Sequence, residues 1–214
     1  YTADRKIRRD DAYTPGGLGG KRPDRSVIVY SHRIREAFGN TPIVIGGIEA
    51  SLRRIAHFDY WSEKVRRSVL LDSKADLLIF GNAERQLAEL AHRLAANEPI
   101  ASITDLRGTV FTRRDSPKDW VEIDSTHLDL PGKIDAIPDP YQYNNDKDDK
   151  ADSDSNLLPS TKVVRFAREV EGVQRGNSVI RLPSYEAVAN DPVLYAHASR
   201  ILHLESNPGN ARAM

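Results

Sequence analysis

Two short apolar runs that each stop at glycine restrict most strongly what this chain can fold into. The first is Pro42-Ile43-Val44-Ile45 before Gly46-Gly47, and the second is Asp76-Leu77-Leu78-Ile79-Phe80 before Gly81. Runs of this length that are apolar at consecutive positions are typical of strands buried on both faces of a parallel sheet. We therefore expect a parallel sheet whose strands end in glycine-containing loops.

Helical patterns accompany these runs. Residues 26–38 have apolar side chains at helical spacing, although residues 27–30 also fit a short strand. A helix is predicted from Ser62 to Leu71, and another with one apolar face begins at Asn82. Residues 109–112 are predicted to form an edge strand. The order of strands and helices indicates an α/β fold in which helices flank the sheet.

Charge is unevenly distributed although it sums to zero. Residues 1–67 contain 14 Lys and Arg against 8 Asp and Glu, a net of +6, whereas residues 115–158 contain 4 Lys against 12 Asp and Glu, a net of −8. The stretch 138–160 is too polar to offset its ordering entropy, so it is predicted to be a disordered acidic linker. An acidic docking site is the alternative interpretation.

The linker predicts the organisation of the chain. Residues 1–137 would form the α/β region, and residues 161–214 would form a helical connector. The first helix of the connector is predicted over residues 161–170. The second is predicted to begin at Asp191, with Pro192 in its first turn.

Composition excludes several classes of protein. The chain has no cysteine, which rules out disulfides, a thiol nucleophile and a cysteine-ligated iron–sulfur cluster. No apolar run approaches the roughly 18 residues of a membrane span. We expect a cytoplasmic protein without a membrane partner. Because the sequence starts at Tyr1 rather than Met, we also expect it to be part of a longer protein.

Candidate binding residues follow the two apolar runs, since ligands bind beyond the carboxyl ends of parallel strands. Glycines let the backbone approach a ligand closely, and helix N-termini offer free N–H groups. Neither segment has a dinucleotide or phosphate-loop spacing, so glycines used only for tight turns are the alternative. The backbone-approach candidates are Gly46, Gly47 and Gly81, and the side-chain candidates in these segments are Glu49, Ser51, Arg53, Arg54, Asn82 and Glu84.

Residues 53–67 are the densest in polar and aromatic side chains. Their arginines can clamp a carboxylate or phosphate, and their aromatic rings can stack on a base. A histidine and an aspartate in the same stretch can exchange protons with a substrate. Alternatively, the aromatic rings pack beneath the loop while the arginines bind solvent or nearby carboxylates. The further substrate-binding candidates are His57, Asp59, Tyr60, Trp61, Arg66 and Arg67.

No other motif indicates catalysis. No two histidines have the i, i+4 spacing of a helical zinc site, and the group of Asp124, His127 and Asp129 is a weak metal candidate. The chain has no serine-hydrolase elbow. We predict no catalytic residue and no metal ligand.

Long stretches of the sequence closely resemble the N-terminal region of YgiQ-type radical SAM proteins. The resemblance covers nearly the whole chain except the acidic linker. The stretches that carry it are residues 1–5, 10–15, 20–25, 46–62, 65–68, 74–76, 80–82, 84–85, 91–95, 194–203 and 205–209.

This resemblance implies an accessory role. In such proteins a radical SAM barrel follows, and its C-x-x-x-C-x-x-C loop binds a [4Fe-4S] cluster that cleaves S-adenosylmethionine reductively. Those cysteines are not in this sequence. The resemblance therefore implies no cofactor bound by this chain, with the cluster and S-adenosylmethionine bound elsewhere in a bacterial enzyme of unknown substrate.

The resemblance also implies a fold and partners. The region is similar to the Rossmann-like, cobalamin-binding-type domain that precedes many radical SAM barrels, here without its first strands. The cobalamin-ligating D-x-H-x-x-G motif is not found, so cobalamin is not predicted. Expected partners are the downstream barrel and a small-molecule or macromolecular substrate. An incomplete sheet also predicts self-association through an exposed edge or apolar face.

Two functions are consistent with the sequence. The first is a non-catalytic region that shapes the substrate site or covers the barrel, using the loops over residues 49–54 and 57–67. The alternative is an RNA- or nucleotide-binding module that uses residues 53–67 for phosphate and stacking contacts, which salt would weaken steeply.

Overall fold

The structure is a computed structural model that describes residue 6 and residues 9–132 and 175–206. These residues form two compact units. The first consists of the described residues up to Asp115 together with Tyr185–Asn190, and the second consists of the remaining described residues. The predicted linker 138–160 and the predicted helix 161–170 lie outside the described residues.

The described residues form seven α-helices and seven short strands. The helices are α1 (Ser26–Phe38), α2 (Gly47–Leu52), α3 (Val69–Ser73), α4 (Glu84–Ala95), α5 (Ser125–Leu128), α6 (Tyr185–Asn190) and α7 (Pro192–Ser206). The strands are β1 (Val44–Ile45), β2 (His57–Asp59), β3 (Lys64–Arg66), β4 (Leu77–Ile79), β5 (Thr109–Val110), β6 (Val121–Asp124) and β7 (Ser178–Arg181). Short 3₁₀ helices occupy Pro15–Gly17, Ile100–Ser102 and Arg175–Asn177.

The first unit is built on a three-stranded sheet in the order β1-β4-β5. Strands β1 and β4 are the two apolar runs, and they pair in parallel with Val44 opposite Leu77. All three residues of β4 are buried, as the sequence predicts for a central strand. Strand β5 lies at an edge, which confirms the edge-strand prediction.

Apolar side chains cover both faces of this sheet. Successive side chains of a strand point to opposite faces, so Leu78 joins one cluster and Leu77 and Ile79 join another. The first cluster includes Val69 and Leu70 of α3, and the second includes Leu90 of α4. The first unit is therefore an α/β structure with helices on both faces of its sheet.

The sheet is mixed, which corrects the prediction of a mostly parallel one. Strand β5 pairs antiparallel with β4, and Ile79 lies opposite Thr109. Strand β5 begins beside the carboxyl end of β4, where the Phe80 amide donates a hydrogen bond of 2.9 Å to the Gly108 carbonyl oxygen. It then runs back along β4 in the opposite direction. The Rossmann-like parallel sheet is not confirmed.

Two predicted helices have different outcomes. The helix predicted over residues 26–38 is confirmed, and the alternative strand over residues 27–30 is wrong. The helix predicted from Ser62 is wrong, because Lys64–Arg66 forms a hairpin with His57–Asp59. Glu63 has a φ of 52°, a left-handed conformation that interrupts a helix. The following helix, α3, begins only at Val69, after Ser68 caps it.

The second unit contains the parallel pair β6–β7, with Ile123 opposite Ile180. Ile180 and Ile201 form its buried cluster. Helix α7 begins at the predicted position, because Asp191 Oδ1 accepts a hydrogen bond of 2.8 Å from the Val193 amide. None of the helices over residues 9–132 and 175–206 combines the length and the hydropathy of a membrane span.

Candidate functional site

The predicted site residues lie in the first unit, in two loops at the sheet edge and in the β2–β3 hairpin. The loop and helix after β1 contain Gly46, Gly47, Glu49, Ser51, Arg53 and Arg54, and the segment after β4 contains Gly81, Asn82 and Glu84. The hairpin and the residue after it contain His57, Asp59, Tyr60, Trp61, Arg66 and Arg67.

Ser51 joins the two loops. Its hydroxyl donates to the Gly47 carbonyl oxygen at 2.8 Å and accepts from the Gly81 amide at 3.3 Å. Both glycines have positive φ, 79° and 73°, a conformation that other residues adopt only with strain. The two segments that the sequence placed at neighbouring strand ends are thus brought together by one side chain.

Helix α2 carries the first of several ion pairs. Arg53 Nη1 lies 2.8 Å from Glu49 Oε1, one helical turn away. The Arg53 carbonyl oxygen accepts from the Val69 amide at 2.9 Å, which attaches this helix to the start of α3. Both side chains of the pair are about one-third exposed or less. Arg53 therefore has a structural partner in the position predicted for an anion clamp.

Arg54 lies over the sheet edge. Its guanidinium carbon is 4.7 Å from the centre of the Phe80 ring, a cation–π geometry. Its backbone carbonyl accepts from the Ser68 hydroxyl at 2.8 Å. Burial lowers the pKa of Arg54 from its ordinary value. Arg54 packs within the unit while it stays cationic at neutral pH.

Asp59 holds the hairpin in place. This buried carboxylate accepts from Arg25 Nη2 at 2.5 Å, from the Ser62 hydroxyl at 2.7 Å and from the Trp61 amide at 3.2 Å. Burial raises the pKa of Asp59, but these hydrogen bonds and the Arg25 charge outweigh it and hold the pKa well below its usual range. Asp59 is therefore a charged anchor for the turn.

Asp72 likewise binds the two arginines at the end of the hairpin, Arg66 and Arg67. Arg67 Nε lies 2.6 Å from Asp72 Oδ1, and Arg66 Nη2 lies 3.2 Å from Oδ2. Burial raises the pKa of Asp72, but hydrogen bonds from Arg67 and Arg66 outweigh this effect, so the pKa of Asp72 is lower than its ordinary value. The Asp72 carbonyl also contacts His32 Nε2 at 3.0 Å, so this residue connects α3 with α1 and the hairpin.

His57 is half-buried on β2. Its Nδ1 lies 3.3 Å from the Ile55 carbonyl oxygen. Burial lowers the pKa of His57, against the raising effects of that hydrogen bond and of Asp59. The imidazole is therefore mainly neutral at pH 7 and could accept a proton, whereas the carboxylate of Asp59 is engaged by Arg25 and Ser62.

Large apolar side chains are exposed in this region. Ile48 and Leu52, one turn apart on α2, are 80% and 70% exposed, although Ala50 between them is fully buried. Phe58, Tyr60 and Trp61 of the hairpin are also exposed. Asn82 and Glu84 are exposed beside Gly81.

Sequence reasoning missed some of these residues. Ile48 and Leu52 were not candidates, because a helix of six residues shows too little periodicity to reveal which apolar side chains face outward. Arg25 was missed because it lies 34 residues before its partner Asp59. The sequence did contain one signal for this turn, an aspartate followed three residues later by a serine, Asp59 and Ser62.

The arrangement presents an apolar surface on a scaffold of internal ion pairs. Among the residues that the structure describes, no group of three His, Asp or Glu side chains is placed to hold a metal ion. The whole sequence lacks cysteine, so its residues do not fit a [4Fe-4S] cluster.

Comparison with known proteins gives a consistent family assignment. The family model described as Radical SAM N-terminal matches residues 1–214. The chain is 59% identical to a UPF0313 protein of Pseudomonas putida, 57% identical to one of Pseudomonas aeruginosa and 52% identical to the UPF0313 protein YgiQ of Escherichia coli K12. Each match covers 100% of this chain. The resemblance seen in the sequence is thereby confirmed.

The chain spans 28% to 29% of the length of these three relatives. No solved structure matches it significantly.

Proposed function

Because the chain belongs to the Radical SAM N-terminal family, we propose that it is an accessory region of a radical SAM enzyme. Its role is to cover the catalytic barrel or to shape the substrate site there. The loops over residues 49–54 and 57–67 make the contact. We further propose that the candidate residues of these loops, together with Gly81, Asn82 and Glu84, form the surface that faces the substrate. The cytoplasmic location remains a prediction from the sequence.

The observation that carries this proposal is the exposure of Ile48 and Leu52 at the carboxyl edge of the sheet. An apolar pair that is 80% and 70% exposed gains free energy when another protein surface covers it. The same edge is where open α/β sheets bind ligands. Covering this edge with the barrel would place the loops beside the reacting substrate.

Ion pairs beneath the exposed side chains support the proposal that this surface is rigid. Glu49 holds Arg53, and Asp59 holds Arg25 and the hairpin turn. Positioning of substrate needs side chains whose own conformations are fixed by their neighbours. The loops therefore suit a shaping role more than a role that relies on free cations.

The family implies S-adenosylmethionine and an iron–sulfur cluster in the longer protein. Since this chain has no cysteine, the ligands of the cluster would come from the rest of the longer protein. The parallel pair β1–β4 with helices on both faces supports a Rossmann-like, cobalamin-binding-type fold, which we also keep as a proposal.

A chimera tests this function. Residues 1–214 replace the matching region of the Pseudomonas putida relative, and the protein is purified without oxygen and reconstituted with iron and sulfide. The readouts are 5′-deoxyadenosine formation from S-adenosylmethionine and amide hydrogen exchange of residues 47–67. We expect the double variant Ile48→Glu and Leu52→Glu to lower turnover by about tenfold or more, because charge at a buried contact costs over ~1.4 kcal/mol. Exchange over residues 47–67 should rise in the same variant.

Leu71→Glu is the matched control. Leu71 is also exposed on a helix of the first unit, but it lies outside the proposed surface. This variant should turn over normally. Equal losses in both, or full turnover after deletion of residues 1–214, would contradict the accessory role. Arg53→Ala and His57→Ala should lower activity without unfolding the protein; early melting of either would make that residue structural.

An RNA- or nucleotide-binding module is the second candidate. The exposed rings of Tyr60 and Trp61 favour it, because bases stack on such rings. The carboxylates bound to Arg53, Arg66 and Arg67 weigh against it. Binding of a labelled oligonucleotide that weakens steeply with salt would support this function.

A further inference from the structure

A buried histidine connects two helices of the second unit. His197 of α7 is 3% exposed, and its Nε2 lies 3.1 Å from Oγ of Ser125, the fully buried first residue of α5. The two residues are 72 positions apart in sequence. One turn along α7, Ile201 packs in a buried cluster with Ile180 of β7. Helix α7 is therefore attached to its unit through a polar contact as well as an apolar one.

The surroundings of His197 suit only the neutral imidazole. A neutral imidazole has one N–H donor and one bare nitrogen, and the Ser125 hydroxyl, which can donate or accept, satisfies Nε2 in either tautomer. Nδ1 is buried, and none of the residues that the structure describes hydrogen-bonds to it. Protonation makes both ring nitrogens donors. It would leave a cationic N–H group buried without an acceptor, which costs free energy.

The charged groups around this imidazole do not remove that cost. Asp124 at the end of β6 and Asp129 after α5 favour the cation, whereas Arg200 on α7 opposes it. Asp129 is already bound by Arg200 Nε at 2.5 Å. Arg181 of β7 binds Glu122 of β6 at 2.7 Å. Burial has the largest effect on the imidazole, and its pKa is lower than the ordinary value.

We propose that His197 is an acid-sensitive latch, whose protonation releases α7 from α5 while the rest of the chain stays folded. In the released state water accepts hydrogen bonds from both ring nitrogens, so the cost of the buried cation disappears. The released state therefore binds a proton more readily than the closed state, and acid increases its population. This device lies in the second unit and is independent of the proposed function.

The pH range of the latch follows from the two states. In the closed state burial lowers the pKa of His197, and in the released state the pKa returns to its ordinary value of 6.5. The latch is therefore fully closed above about pH 6.5 and opens as the pH falls below it. At pH 5.5, linkage limits the increase in opening to about tenfold over pH 7.5.

Amide hydrogen exchange of the full 214-residue chain tests the latch. Peptides from residues 193–206 are followed at pH 7.5 and 5.5, and each rate is divided by the intrinsic rate at that pH. We expect the protection of α7 to fall by about threefold to tenfold on acidification. Residues 84–95 of α4 should keep their protection. An equal fall in α4, or unchanged protection of α7, overturns the proposal.

His197→Gln tests the residue, because glutamine can hydrogen-bond to Ser125 but does not titrate. The protection of α7 should then be the same at both pH values. His203→Gln and His127→Gln are matched controls, since they remove exposed histidines of α7 and α5 and should keep the wild-type dependence. A wild-type dependence in His197→Gln overturns the proposal.

Ser125→Ala is the second variant, in case His197→Gln does not fold. It removes the partner of Nε2 and leaves the imidazole in place. The protection of α7 should fall by about threefold to tenfold already at pH 7.5, and acid should lower it further. Wild-type protection of α7 at pH 7.5 in this variant would show that the contact does not hold the helix and would overturn the latch.

Discussion

The arginines that end the β2–β3 hairpin show, at the scale of single residues, how partners decide a role. By type, Arg66 and Arg67 match a phosphate clamp, yet both bind the carboxylate of Asp72. To bind an external anion, each would first have to give up that partner. Sequence reasoning recognised the residues and left both interpretations open. Only the position of Asp72 decides between them, and it lies on a different element.

His197 gives a prediction at the same scale. It is buried, and its Nε2 lies 3.1 Å from Ser125 Oγ. Burial lowers the pKa of His197 from its ordinary 6.5, against Asp129 and Asp124, which raise it, and together with Arg200, which lowers it. The unfolded chain therefore takes up a proton before the folded chain does. The contribution of His197 to the free energy of unfolding is therefore fully present above about pH 6.5, and it is lost as the pH decreases below that value.

His197→Gln should flatten this dependence, measured by urea unfolding at pH 7, 6 and 5. His57 contributes in the same direction through the first unit, because burial lowers its pKa as well, so some slope should remain. His92→Gln, on an exposed part of α4, is the control and should keep the wild-type slope. An equal slope in His197→Gln and the wild-type chain would show that His197 does not cause the loss.

The β2–β3 hairpin is the clearest lesson at the scale of elements. Residues 62–71 have apolar positions at helical spacing, and the sequence pattern alone favours a helix there. Strand pairing with residues 57–59 and the buried Asp59 turn override that local preference. Tyr185 of α6 adds a hydrogen bond of 3.2 Å to the Val65 carbonyl oxygen, from a position 120 residues away. A window of the sequence cannot contain such a contact.

The end of α3 gives a prediction for an element. Lys74 caps this helix in the left-handed conformation, with a φ of 53°. Because glycine adopts this conformation without a clashing Cβ, Lys74→Gly should raise the free energy of unfolding by about 0.5–1 kcal/mol. Ala91→Gly, inside the exposed part of α4, should lower it by about 1 kcal/mol. Thermal unfolding measures both, and a loss of stability in Lys74→Gly would contradict the account of this cap.

At the scale of the whole molecule, the division into units does not follow chain order. The chain leaves the first unit at Asp115 and returns to it over Tyr185–Asn190 before continuing into the second. Composition predicted one division at the acidic stretch, and that stretch lies outside the described residues. A return of six residues has no signature in composition, because its burial depends on side chains far away in sequence.

The balance of charge gives a prediction for the whole molecule. The sequence pI is about 7.2, so each copy carries little net charge near that pH. Raising the pH to 9 should give every copy negative charge and weaken the self-association that the sequence predicts for an incomplete sheet, and added salt should restore part of it by screening. Sedimentation at both pH values measures this effect. Stronger association at pH 9 would contradict it.

The sequence by itself determined the features that depend on neighbouring residues. Continuous apolar runs marked β1 and β4 as buried strands, helical spacing marked α1 and α4, and Asp191 with Pro192 marked the start of α7. Long stretches of identity also determined the family. Tertiary structure alone decided the direction of β5, the hairpin, the carboxylate partners of the arginines and the exposure of Ile48 and Leu52. The physical reason is that local conformation follows from adjacent side chains, whereas pairing and burial depend on residues that only the fold brings together.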